Sequence, residues 1–225
     1  MIDAHIHLDR FSDPVAAWQR LSAAGLRGAL IPGVEEPYQA PCVAGVDFAY
    51  GQHPLAVAQP GWEERLEAAI AHQRPMALGE LGMDRRADPE QIDVLAAQLT
   101  IAQRHKLPII THLVGDGGSL LKALRRHNAP VMLHRCSGRP SRFKPWWEAG
   151  IYLSVGPKVG QDLRLLEAVP NEFLLLESDA EEEASAPWKT LPQLYADAAR
   201  AKGMSLASIK ALVFANYQRF LGVSR

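Results

Sequence analysis

Two histidines two positions apart sit at the start of the chain, in Asp3-Ala4-His5-Ile6-His7. On extended backbone alternate side chains share a face, so both imidazoles point the same way, and Asp3 with them. Two inward imidazoles need a shared partner, and a divalent metal is the partner that neutral imidazole suits. Further along, Gly79-Glu80-Leu81-Gly82 places a carboxylate between glycines at the end of an apolar run. Glycine lets the backbone turn sharply there, and a carboxylate buried alone is costly unless paired or bound to metal. Asp179 closes another apolar run, Phe173-Leu174-Leu175-Leu176, with Glu177 on its face, and His112 and His134 end two more. Two carboxylates, Glu80 and Asp179, with four imidazoles suffice for two ions if one carboxylate bridges them. The chemistry such a centre performs is hydrolysis by an activated water.

Residues so far apart in sequence must be gathered by the elements that carry them. Short apolar segments recur at 1–7, 28–33, 46–53, 76–80, 108–112, 130–134, 150–155 and 172–179, giving eight predicted strands. Most are separated by helical patterns, the alternation that implies parallel strands joined by crossover helices. Asp13-Pro14 starts one helix, with Val15, Trp18 and Leu21 on its apolar face; Trp62, Leu66, Ala69 and Ile70 mark a second. Asp88 as cap and Pro89 in the first turn start a third, with Ile92, Leu95, Ala96, Leu99 and Ala102 at helical spacing. Leu120, Leu121 and Leu124 mark another helix, Leu191, Leu194, Tyr195 and Ala198 a late one, and Ser205–Leu221 the last. Between the second and third strands, Val34–Gly45 has two prolines and too little length for a full crossover helix, which predicts an irregular corner. The expected architecture is an α/β barrel of the TIM type, (β/α)₈, slightly distorted after strand two, with residues 1–225 forming one domain. In such a barrel the C-terminal ends of the strands form the active face. His5, His7, His53, His112 and His134 all fall there, while His72, His105 and His127 fall on or near helices.

Composition narrows the partners. The 24 Lys and Arg against 25 Asp and Glu leave a formal charge of −1, so no global field draws polyanions and any attraction to nucleic acid must be local. No window is apolar and long enough to span a membrane, and the polar start lacks a signal-peptide core, so a cytoplasmic location is expected. Cys42 and Cys136 read as free thiols in a reducing compartment.

With these residues placed, the sequence resembles the TatD-like deoxyribonucleases of the amidohydrolase superfamily nearly end to end. The resemblance rests on Asp3-Ala4-His5-Ile6-His7-Leu8, Gly51-Gln52-His53-Pro54, Gly79-Glu80-Leu81-Gly82-Met83-Asp84, Pro108-Ile109-Ile110-Thr111-His112, His134-Arg135-Cys136-Ser137-Gly138, Leu176-Glu177-Ser178-Asp179-Ala180 and Asn216-Tyr217-Gln218-Arg219-Phe220. It implies that His5, His7, Glu80 and Asp179 hold one divalent ion and Glu80, His112 and His134 a second, zinc, magnesium or manganese, with Glu80 as the bridge. It also implies that Asp179 takes the proton of the attacking water, and that His53 lies near the substrate. Relatives that bridge their metals with a carbamylated lysine carry it where this chain has Glu80. The chain departs from the family's pattern at Val114, where an arginine is frequent, and at Glu181-Glu182-Glu183, where a proline and an aromatic residue are frequent.

Arg85 and Arg86 follow strand four, Arg135, Arg139, Arg142 and Lys144 follow strand six, and Lys158 follows strand seven. Arg135, Arg139 and Arg142 are the expected phosphate contacts, and Trp146 and Trp147 are expected to pack beneath their loop. Near-neutral charge and the Glu181–Glu183 cluster point to a DNA end or a short phosphoester rather than internal duplex. Two other readings stay open on the sequence: hydrolysis of an ester, lactone or amide by the same centre, and a catalytically silent subunit that binds a partner.

Overall fold

The computed structural model describes residues 1–34, 40–160 and 162–223. Eight strands run parallel in the order of the chain: β1 (Ile2–Asp3), β2 (Gly28–Val34), β3 (Val46–Tyr50), β4 (Ala77–Asp84), β5 (Ile109–Val114), β6 (Val131–Cys136), β7 (Tyr152–Val155) and β8 (Leu174–Leu176). The last strand meets the first, because the Ala4 amide donates to the Leu176 carbonyl at 3.0 Å and the Asp179 amide to the His5 carbonyl at 3.0 Å. β7 and β8 are buried throughout, as strands covered on both faces should be. The architecture is the expected (β/α) barrel.

Around the sheet lie α1 (Pro14–Ala23), α2 (Trp62–Gln73), α3 (Gln91–His105), α4 (Gly118–Leu124), α5 (Pro140–Trp147), α6 (Arg164–Ala168), α7 (Pro187–Lys202) and α8 (Leu206–Leu221). Asp13 caps α1 by accepting from the Ala16 amide, and Ser205 caps α8 by accepting from the Ser208 amide, each satisfying a donor that the first turn leaves open. The predicted core positions of α2, α4 and α7 are buried. In α3 the face is rotated from expectation: Ile92 is exposed, and Leu95, Gln98, Ile101 and Ala102 are buried. Pro89 and Glu90 form a turn ahead of this helix rather than its first turn, so Asp88 does not cap it. Val15 of α1 is likewise exposed. In the expected irregular corner, residues 40–45 contain no helix, while residues 35–39 lie outside the described residues.

Four strands differ from their predicted bounds in ways that matter for the site. β3 ends at Tyr50 rather than His53 and β8 at Leu176 rather than Asp179, so both of those side chains come from the loops beyond, and β1 and β4 differ too. β1 has only two residues, but the Tyr195 hydroxyl of α7 holds both main-chain groups of Ile2, accepting from its N–H at 3.1 Å and donating to its C=O at 2.9 Å. β4 does not end at Glu80; it continues to Asp84 with a register shift against β5 between Leu78 and Leu81. The flanking glycines serve close approach to β5 rather than a turn. A Cβ on Gly79 would stand 2.4 Å from the Ile110 carbonyl oxygen, and one on Gly82 2.0 Å from that of His112. Only glycine fits at that separation, and the irregularity leaves the Glu80 side chain buried in the site.

Candidate metal centre

His5 and His7 share a face although they lie beyond β1. The pairing continues past the strand, with the Ala4 amide bonded to Leu176 of β8 and the Ile6 amide to Leu30 of β2. The chain bends at Ala4 and His5, the His7 amide bonds to the Ala180 carbonyl at 2.9 Å, and both imidazoles come to Glu80, within 3.5 and 3.8 Å of its Oε2. Asp3, expected on the same face, does something else: its Oδ1 accepts from the His5 amide at 3.2 Å and the Ser178 amide at 2.9 Å. It is a clasp between the ends of β1 and β8. Burial pushes its carboxyl up to about 6, with those hydrogen bonds opposing.

Glu80 lies at the centre, and its two oxygens face different neighbours. Oε2 is 3.5 Å from His5 Nε2 and 3.8 Å from His7 Nε2. Oε1 is 2.6 Å from His134 Nε2, 2.9 Å from His112 Nδ1 and 3.7 Å from His53 Nε2. His134 Nε2 and His112 Nδ1 are themselves 3.0 Å apart, and the His5 and His134 rings stack with centroids 4.0 Å apart. Asp179, whose backbone is left-handed at φ 51°, brings Oδ1 to 3.7 Å from His5 Nε2 and Oδ2 to 3.2 Å from Arg135 Nε.

The electrostatics follow from this crowding. Burial favours neutral His134 and His53, and both are lowered to about 4; burial and the nearby His5 hold His7 well below its ordinary value. Burial opposes charge on His5 too, but Glu80, Glu177 and Asp179 outweigh it and raise the imidazole to about 9. Burial disfavours charge on Glu80, yet the surrounding imidazoles hold it well below the carboxylate range.

The donor set fits a divalent cation. His5, His7 and Glu80 offer donor atoms all within 4.8 Å of one another, as do His53, Glu80 and His112, and His5, His134 and Asp179. Both ring nitrogens of His5, Nδ1 of His7 and Nδ1 of His134 are buried with no hydrogen-bond partner among the described residues. Buried polar atoms of that kind are expensive, and ligation is what imidazole nitrogens at this spacing around a carboxylate can do.

Several contributors escaped the sequence reading. Asp84, buried at the end of β4, places Oδ2 3.2 Å from His112 Nε2 and is gripped by Arg86 through Nε at 2.9 Å and Nη2 at 2.5 Å. That grip, and bonds from Arg86 and His112, hold the Asp84 carboxyl far below the usual range. Gln98 of α3 fixes the turn that carries His53, accepting from the Gln52 amide and donating to its carbonyl. His53 itself accepts the Leu55 amide on Nδ1 at 3.1 Å, which directs Nε2 toward Glu80. Glu177, expected to face inward beside Asp179, is fully buried and accepts the Arg135 amide at 2.6 Å. Burial, with Asp179 adding, raises its carboxyl to about 8.

Above the cluster is a cavity of about 400 Å³ whose rim includes Arg10, Arg86, Arg135, Leu55 and Glu181. Arg10 pairs with Glu181 at 3.3 Å. Of the three expected phosphate contacts, only Arg135 reaches this cavity. Arg142 lines a separate depression beside it, and Arg139 is an exposed residue ahead of α5 that lines neither. Of the two tryptophans expected to pack beneath that loop, Trp146 is buried and Trp147 half-buried. Glu183, grouped by sequence with Glu181 and Glu182, accepts the Ser12 hydroxyl instead of facing a cavity. No helix among the described residues is long and apolar enough to cross a membrane.

Comparison with known proteins places this arrangement in context. Residues 2–222 match the family model described as TatD related DNase. The sequence is 30% identical over 207 residues to the uncharacterized metal-dependent hydrolase YjjV of Escherichia coli (strain K12), covering 80% of this chain and 78% of that one. It is 30% identical over 192 residues to the 3'-5' ssDNA/RNA exonuclease TatD of Klebsiella pneumoniae (strain 342), covering 76% and 72%. The crystal structure of Escherichia coli YjjV superposes with a TM-score of 0.82 over 100% of this chain and 98% of that chain, at 22% identity.

Proposed function

The chain belongs to the TatD-related DNase family of metal-dependent hydrolases, and from that premise we propose that it hydrolyses the phosphodiester of a nucleic-acid end or short phosphoester with two divalent ions held about Glu80. The observation that carries this reading is the two-sided placement of Glu80, with His5 and His7 nearest one oxygen and His112 and His134 nearest the other. His5, His7, Glu80 and Asp179 would hold one ion, and Glu80, His112 and His134 the other; of zinc, magnesium and manganese, zinc suits the imidazoles best, while the carboxylates also suit magnesium and manganese. When bound, such ions lower the pKa of a water and screen the charge of a phosphoryl group.

The chain's own residues supply the rest. Asp179 presents Oδ1 toward His5 while Arg135 fixes Oδ2, so this carboxylate is oriented to accept the proton of the attacking water. Arg135, exposed on the cavity rim, has guanidinium donors to spare for a phosphate oxygen. His53, lying between Leu55 and Glu80, borders the place where the scissile group must sit.

Metal analysis after reconstitution, together with parallel assays on end-labelled single-stranded DNA, bis(p-nitrophenyl) phosphate and p-nitrophenyl acetate, tests the reading. Two ions per chain and chelator-sensitive cleavage of the two phosphodiesters are expected. Cleavage of the acetate alone would replace the substrate class, and under one ion per chain would remove the centre.

A further inference from the structure

Beside the metal cavity, on the wall formed by the ends of β4, β5 and β6, is a depression of about 430 Å³ lined by Arg85, Arg135, Arg142 and Lys158 over Val114 and Gly115. No aspartate or glutamate among the described residues lines it. The cavity over β8, about 620 Å³, is mixed instead, with Glu177, Asp179, Glu181 and Glu182 in its walls beside Arg10, Arg135 and Lys158. Among the described residues Arg85, Arg142 and Lys158 have no carboxylate partner; Arg142 reaches only the Gly115 carbonyl at 3.5 Å, its guanidinium carbon 5.6 Å from the Phe143 ring centroid. Those contacts aim the guanidinium without neutralising it. In a chain of net charge −1, Arg85, Arg142 and Lys158 stand here without a carboxylate partner beside Arg135, whose Nε is 3.2 Å from Asp179 Oδ2, and an anion placed among them relieves their mutual repulsion. The depression shares His134 and Arg135 with the metal cavity, so an anion held there is the neighbour of whatever group lies over Glu80.

We propose that this depression is a second anion subsite, which takes the phosphate next to the scissile one. It rests on the reading of the metal centre as a phosphodiesterase and narrows its substrate to a diester that carries an adjacent phosphate. That neighbouring group is either a terminal phosphate or the next internucleotide phosphate, with the same chemistry in both. The strand then leaves the centre over β4 to β6 and away from the acidic wall above β8.

Calorimetric binding to the metal-loaded protein, with a non-hydrolysable 3′-methylenephosphonate linkage at the scissile position of every probe, separates this from catalysis. Three probes are used: the thymidine dinucleoside monophosphate, its 5′-phosphorylated form, and the trinucleoside diphosphate. The second phosphate, in one form or the other, is expected to tighten binding about tenfold, which is ~1.4 kcal/mol. Whichever probe gains identifies the source of the anion. In the Arg142→Gln/Lys158→Gln protein the gain falls below about twofold, and binding of the probes with a second phosphate becomes less dependent on salt. In Glu181→Gln/Glu182→Gln, a change of the same size on the opposite wall, the ratio between probes stays as in the unmodified protein. Both pairs are exposed, so folding is checked by thermal midpoint alone. A second phosphate that adds nothing in either form, no binding of any probe up to millimolar concentration, or a gain that survives Arg142→Gln/Lys158→Gln would each overturn the subsite. Because no turnover is measured, a protein that fails to cleave diesters while keeping the gain refutes the catalytic reading and leaves the subsite standing.

Discussion

The histidines after β1 and those of β5 and β6 meet the same carboxylate, but they are held by different means. His112 is supported by a chain of side chains, from Glu80 through the imidazole to Asp84 and on to Arg86. His5 and His7 have no such chain. Their rings are directed by main-chain pairing to β2 and β8, by the Asp3 clasp and by Tyr195 beneath. The Glu80 oxygen nearest β5 and β6 lies within 2.9 Å of both its imidazoles, and the other no closer than 3.5 Å to His5 or His7. A half fixed by side-chain contacts should respond to substitutions outside the ligand set. A half fixed by backbone, with a proton on His5, should respond to pH.

The largest effect is expected where the halves meet. Glu80→Ala removes the group common to both, so at least one ion per chain should be lost and turnover should fall by about 10³ or more. The circular dichroism spectrum should stay close to that of the unmodified protein. Full occupancy in this variant would leave the two halves with nothing in common.

Asp179→Asn touches only the side nearest His5. Turnover should fall about 10²–10⁴-fold with little change in KM, since the change removes a proton acceptor and keeps the shape. A rise in KM with kcat intact would move Asp179 from the chemistry to substrate contact.

Asp84→Asn tests the other half from outside it. The carboxylate behind a ligating imidazole is worth roughly 10–100-fold in metal affinity. A metal titration of this variant should therefore show one step weakened by that amount and one unchanged. Equal weakening of both steps would mean that the halves are not independent.

Protonation should act in the converse way. His5 is raised to about 9, with burial opposing and the carboxylates winning, whereas His134 and His53 are lowered to about 4. At pH 7 a cation must displace a proton from His5 but not from the other two. Affinity on the β1 side should rise about tenfold per unit from pH 7 toward 9, because each ion bound releases that proton. His134, already neutral at pH 7, should add no such proton release until the pH approaches 4. Two steps with the same pH slope would erase the distinction.

Which parts of this were legible in sequence has a physical basis. The pairing of His5 with His7 was, although the chain bends at Ala4 and His5 and main-chain bonds to both β2 and β8, not simple alternation, bring the two rings to Glu80. The central position of Glu80 was, but the glycines beside it were misread as a turn, since sequence does not tell a sharp bend from a close approach between strands. Ending the strand at Glu80 concealed Asp84, although 80 and 84 are an even number apart and alternation carries both to one face. Asp3 and Glu177 were placed on the right side, yet their oxygens go to main-chain amides, and a hydrogen-bond partner cannot be counted from spacing. Arg139 misled because its direction depends on left-handed backbone at Arg135, φ 57°, and Gly138, φ 101°, which turns the loop away from the cavity. Helix α3 shows the same limit: Gln98 is a polar residue in an apolar stripe, buried only because the Gln52 main chain satisfies its amide.

The smallest effect belongs to the acidic wall, where the sequence treated Glu181, Glu182 and Glu183 as one cluster. The structure divides them. Glu181 and Glu182 line cavities, and Glu181 is partly offset by Arg10 at 3.3 Å, while Glu183 is occupied by the Ser12 hydroxyl. Glu181→Gln and Glu182→Gln should therefore each improve cleavage of longer single-stranded DNA at low salt, by about two- to fivefold, and the gain should vanish as salt screens the wall. Removing Glu181 also frees Arg10 to meet the polyanion, so its gain should be the larger. Glu183→Gln should give none. Equal gains at all three positions would mean that net charge alone is felt, and that the walls on either side of the metal centre do not steer the strand.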